Sequence, residues 1–121
     1  WGGFIADIDK FDPLFFNLSP KEAELMDPQQ RIFLQVIWKT IEDAGYTPDV
    51  LAKTKTGLFA GVSTHDYAEL LQKSNISEAK GTIGNAPCIL ANRVSYLLNL
   101  TGPSQAIDTA CSSSLIALHQ A

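Results

Sequence analysis

Cys111 is the residue whose type and neighbours point most directly to chemistry. It stands in Asp108-Thr109-Ala110-Cys111-Ser112-Ser113-Ser114. A short strand is expected from Ser104 to Asp108, and a helix from about Ser112 onward. A side chain at a helix N-terminus meets free backbone N–H groups and the positive end of the helix dipole. Those groups favour a thiolate. The same N–H groups can donate to an oxyanion forming on an acyl carbonyl. Ala110, Ser112 and Ser113 are small, so a substrate can approach closely. These residues alone serve equally well for an inert cysteine buried at a helix start, because cysteine is among the most buried residue types.

The arrangement shares the logic of the nucleophile elbow, although Gly-x-Ser-x-Gly itself is absent. The other polar candidates read as structural. Cys88 opens an apolar helix and is expected to be an inert core cysteine. Asn85-Ala86-Pro87 just before it reads as a turn and cap. His65, Asp66 and His119 lack zinc-helix spacing, and there is no Cys-x-x-Cys, so no metal site is expected. Asp7, Asp9 and Asp12 alternate somewhat like a calcium loop, but Phe11 and Pro13 break the pattern and leave loop and cap aspartates. His119 follows Cys111 by roughly 12 Å of helix, too far for a hydrogen bond. His65 is given a surface role.

Alternating helices and strands must carry this site. Ser19 caps a short helix from Pro20 through Glu24, and Asp27 caps a longer one that begins at Pro28 and closes at Gly45. In the second, Ile32, Phe33, Val36, Ile37, Ile41 and Ala44 recur at helical spacing. Leu34 and Trp38 widen that stripe, so burial on more than one side is expected. The aromatic stretch before it, Phe4 to Leu18, reads as a packed loop with a turn at Pro13. Thr47 to Thr56 reads as a polar connection. Gly57 to Val62 reads as a strand covered on both faces, within a parallel or mixed sheet. Gly57 and Gly61 are taken to permit close backbone packing. His65 to Lys73 is expected to be helical, Ser74 to Gly84 loop-like, and Cys88 to Leu98 a second strong helix. The class is therefore α/β, in layers.

Composition narrows the function. The net charge of −4 and the lack of a basic patch argue against nucleic acid. No apolar run approaches the roughly 20 residues that cross a bilayer, so no membrane role is expected. Two cysteines in 121 residues do not make a disulfide framework and read as free thiols in a reducing compartment. The chain starts Trp1-Gly2-Gly3 without Met and stops at Ala121 inside an apolar helical pattern. Both ends are read as cuts in a longer parent.

Asp108 through Leu115 resembles the active-site motif of β-ketoacyl synthases, specifically the ketosynthase domains of modular type I polyketide synthases and animal-type fatty acid synthases. Further hallmarks stand in the family's order: Phe11-Asp12-Pro13-Leu14-Phe15-Phe16, Asp27-Pro28-Gln29-Gln30-Arg31, Glu42-Asp43-Ala44-Gly45, Gly57-Leu58-Phe59-Ala60-Gly61 and Ala91-Asn92-Arg93-Val94-Ser95-Tyr96. The resemblance covers residues 1–121 and identifies them with the N-terminal half of such a domain.

The resemblance implies a thiolase-like fold, with α/β/α/β/α layers in the parent and a partial domain here. It implies a cytoplasmic homodimer in which the strand at Ser104 to Asp108 pairs near the two-fold axis. Cys111 would be the nucleophile and a backbone N–H oxyanion donor. It would take an acyl chain from the phosphopantetheine arm of an acyl carrier protein, with no cofactor bound directly. A malonyl-type extender would then be decarboxylated and condensed with that chain. The family's two catalytic histidines lie beyond the position of Ala121, so the fragment alone is expected to be inactive. Two other readings compete. A silent ketosynthase-like partner, setting chain length or scaffolding a dimer, usually lacks the cysteine that is present here. A cysteine hydrolase or redox protein needs a nearby His or second reactive Cys, and neither is visible.

Overall fold

The first two helices of the chain are both initiated by Pro, and local chemistry explains both. The computed structural model describes residues 1–64, 66–74 and 83–121. Helix α1 spans Pro20–Leu25, and the Ser19 hydroxyl accepts from the Glu22 amide at 3.2 Å. Helix α2 spans Pro28–Asp43, and the Asp27 carboxylate accepts from the Gln29 amide at 2.8 Å. Each cap satisfies a backbone donor that the first helical turn leaves free. Gly45 closes α2 at φ 75°, a left-handed value that glycine adopts without steric cost.

The aromatic stretch before α1 is a series of turns, one of them at Pro13 as expected, but it is not packed throughout: Phe4, Ile5, Ile8 and Leu14 are exposed and Phe16 alone is buried. The Asp12 carboxylate accepts from the amides of Leu14 and Phe15. Phe11 stacks on Phe16 with ring centroids 5.1 Å apart, and Phe15 meets Trp38 of α2 edge-on at 4.8 Å. Asp9 pairs with Lys10 at 3.0 Å, and that hydrogen-bonded ammonium holds the Asp9 carboxyl below its usual range. These are turn and surface carboxylates. No cluster of three or more His, Cys, Asp or Glu able to hold a metal occurs among the described residues.

Three details differ from expectation. The polar connection after α2 contains a one-turn helix, α3, at Pro48–Leu51. Pro48 presets its first residue, and four residues are too few to show an apolar period. Helix α2 is not buried on several sides: only Gln30 and Leu34 are fully covered, and Val36 is half exposed. The third concerns Cys88. Helix α4 spans Asp66–Lys73 and α5 spans Pro87–Leu97. Cys88 lies in the first turn of α5 and is exposed, not a core residue. Leu90, Ala91 and Val94 form the buried stripe of α5, and Cys88 projects about a third of a turn away from it. Of the loop expected from Ser74 to Gly84, residues 75–82 lie outside the described residues, and Ile83 and Gly84 are helical rather than loop.

Strand β1, Leu58–Gly61, pairs in parallel with β2, Ser104–Ile107, with Leu58 opposite Ser104 and Gly61 opposite Ile107. The parallel pairing meets the expectation for Gly57 to Val62. Helix α5 joins two core clusters. Val94 packs with Phe16, Met26, Leu34 and Leu98, while Leu90 and Ala91 pack with Ala60 and Val62 at the sheet. Helix α6, Ser113–Gln120, then packs on β1.

Candidate active site

The site lies where β2 ends and α6 begins. Ladder hydrogen bonds hold β2 through its last residue, with the Val62 amide donating to the Ile107 carbonyl at 3.0 Å. The Ser95 hydroxyl, on α5, donates to the Ser104 hydroxyl at 2.9 Å and ties the start of the strand to the core helix. Asp108 and Thr109 leave the strand, and Ala110 takes φ 53°. Ala110–Ser112 form a single 3-10 turn, after which α6 starts at Ser113.

Cys111 therefore sits in the 3-10 turn that leads into α6, one step before the α-helix expected from about Ser112. The α-helix starts one residue late because the Ser112 and Ser113 amides bond to the carbonyls three residues back, at Thr109 and Ala110, in 3-10 fashion. Cys111 is exposed. Its backbone N–H has no acceptor among the described residues. An exposed thiol and an uncommitted amide donor thus come from the same residue.

Side chains around the turn are committed to its backbone. The Asp108 carboxylate accepts from the Ala110 amide at 3.0 Å. The Ser113 hydroxyl is buried, accepts from the Thr109 amide at 2.9 Å and donates to the Ala110 carbonyl at 2.7 Å. The Ser112 hydroxyl reaches the Thr109 carbonyl at 2.7 Å. Of the small neighbours at 110, 112 and 113, two carry hydrogen bonds that size alone did not reveal.

Gly61 brings β1 against the start of α6. A Cβ there would lie 2.9 Å from the Ser113 carbonyl carbon, so no side chain fits. Close packing was the expected role for this glycine. Gly57 is tight as well, with a Cβ 3.2 Å from Pro103. The turn and cap expected at Asn85-Ala86-Pro87 are met only in part: Pro87 starts α5, but Asn85 is itself helical and donates to the Leu25 carbonyl at 3.0 Å, and Ala86 caps α5 without a side-chain bond. His119 is exposed in the last turn of α6, and His65 lies outside the described residues. No His or carboxylate is hydrogen-bonded to Cys111 among the described residues. No helix among them is long and apolar enough to cross a membrane.

Known proteins resemble this chain in sequence and in fold. The family model described as "Beta-ketoacyl synthase, N-terminal domain" matches residues 1–121. Polyketide synthase PksN of Bacillus subtilis is 55% identical over 122 residues, which is 100% of this chain and 2% of that protein. The ketosynthase from module 6 of the bacillaene synthase of Bacillus subtilis 168 superposes with a TM-score of 0.85 at 48% identity, covering 98% of this chain and 19% of its own. The oxazolomycin ketosynthase domain OzmH KS7 of Streptomyces albus JA3453 gives 0.87 at 44% identity, covering 100% and 21%. The chain thus spans about a fifth of the solved ketosynthases it matches.

Proposed function

Because the chain belongs to the β-ketoacyl synthase family and has its thiolase-like α/β fold, we propose that Cys111 is the residue on which a polyketide-building synthase carries its acyl chain. The observation behind this is the exposed Cys111 thiol on the β2–α6 turn, beside its own uncommitted N–H. The thiolate attacks the carbonyl of an acyl thioester on the phosphopantetheine arm of an acyl carrier protein. The Cys111 N–H donates to the oxyanion. The C–S bond to the arm breaks, and the arm leaves as a thiol after taking up a proton. A malonyl-type thioester then loses CO2, and its α-carbon attacks the Cys111 thioester. A C–C bond forms, the bond to the cysteine sulfur breaks, and the thiolate returns. Covalent catalysis of this kind divides one difficult step into two.

The similarity to polyketide synthases favours polyketide over fatty acid assembly. The reading includes a cytoplasmic homodimer with β2 near its two-fold axis. It also includes two histidines supplied from outside residues 1–121, so this segment alone does not turn over.

The test is alkylation of the complete synthase by iodoacetamide or cerulenin, with mass mapping of the modified residue. Cys88 is a built-in reference, since it too is exposed. Cerulenin and the acyl substrate are expected on Cys111 and not on Cys88. An unlabelled Cys111, with normal product from a Cys111→Ala synthase, overturns the reading in favour of a silent scaffold partner.

A further inference from the structure

We propose that Ser113 and Asp108 are positioning residues that aim the oxyanion donor of Cys111; the inference rests on the nucleophile reading above. The Cys111 N–H and the Ala110 C=O belong to one planar trans peptide, so they point in opposite directions. Whatever holds that carbonyl also aims that N–H. The Ala110 carbonyl accepts from Ser113 twice, from its hydroxyl at 2.7 Å and from its backbone amide. The other end of Ala110 is held as well, its amide donating to the Asp108 carboxylate at 3.0 Å.

Ala110 needs such a clamp. Its φ of 53° is a value that a residue with a Cβ rarely adopts. Without the two side chains, the peptide between Ala110 and Cys111 is held only by the Ser113 backbone amide, and the N–H is less firmly aimed. Ser113 is only 5% exposed, and its hydroxyl accepts from the Thr109 amide and donates to the Ala110 carbonyl. Its position is therefore set by the core, where α6 meets Gly61. The donor at the surface inherits its aim from a buried hydroxyl.

The test compares two reactions of Cys111 in the complete synthase. Acylation by an acyl thioester forms an oxyanion; alkylation by iodoacetamide does not. Ser113→Ala is expected to lower the acylation rate at saturating donor about tenfold or more, with little change in KM. The ratio of Cys111 to Cys88 alkylation should stay within about twofold of wild type, because a thiol needs no aimed N–H for that reaction. Asp108→Ala should slow acylation in the same sense, and Asp108→Asn, which keeps an acceptor oxygen, should restore it. Wild-type acylation in S113A and D108A overturns the inference while leaving the nucleophile reading intact. Equal losses of acylation and alkylation in folded S113A also overturn it. If S113A does not fold, the exposed Asp108 decides: D108A acylating at the wild-type rate is a negative result. No acylation of Cys111 in the wild-type synthase overturns both readings.

Discussion

Gly61 and Ser114 meet backbone to backbone: a Cβ on Gly61 would stand 2.8 Å from the Ser114 amide nitrogen. Neither partner is a flexible side-chain tip, so neither can yield without moving β1 or α6. Gly61→Ala is therefore expected to cost about 1–3 kcal/mol, the usual range for overpacking. Denaturant unfolding of the complete ketosynthase measures it. A neutral result would mean that the strand and helix are further apart than described.

Arg93 and Glu22 join α5 to α1 through a 2.7 Å ion pair whose side chains are 13% and 26% exposed. Partial burial shields the pair from salt but makes a lone guanidinium costly. Glu22→Ala should destabilise by about 2–3 kcal/mol, short of the range for a fully buried pair. Glu22→Gln retains an acceptor and should cost less. Shifts of the unfolding midpoint decide this, and a loss under about 0.5 kcal/mol for Glu22→Ala would show the pair to be ornamental.

Asp27 caps α2 from a buried position, 6% exposed, and its amide donates to the Gly84 carbonyl at 3.0 Å. Asp27→Ala removes the cap acceptor and should cost about 1–2 kcal/mol. Asp27→Asn keeps the acceptor and should recover most of that. Equal losses in the two variants would point to charge, not capping, as the contribution.

Cys88 is exposed at the start of α5. Cys88→Ser should change stability by no more than about 0.5 kcal/mol, as for other surface substitutions. A loss beyond about 2 kcal/mol would return Cys88 to the core, where its sequence context had suggested it belongs.

These cases show what kind of information lies in a linear order of residues. Ser19-Pro20, Asp27-Pro28 and Gly45 announced their helix ends because capping acts within three or four positions. The one-turn α3 has no signature in the sequence because so short a helix leaves no periodic trace. Cys88 was misplaced because an apolar helix does not declare which face will meet the sheet. That face was settled by Ala60 and Val62 packing against Leu90 and Ala91.

The same division runs through the site. The α/β class is legible from alternating helix and strand patterns, Cys111 from its place before a helix, and the family from the order of its motifs, since all three depend on residue types and their spacing. The left-handed turn at Ala110, the clamp from Ser113 and Asp108, and the fit of Gly61 against α6 were decided only in three dimensions. An alanine carries no signal for positive φ, and a serine looks the same in sequence whether its hydroxyl meets water or a buried carbonyl. Contacts between residues 61 and 114 exist only once β1, β2 and α6 have packed, because close approach is a property of the assembled backbone and not of any segment within it.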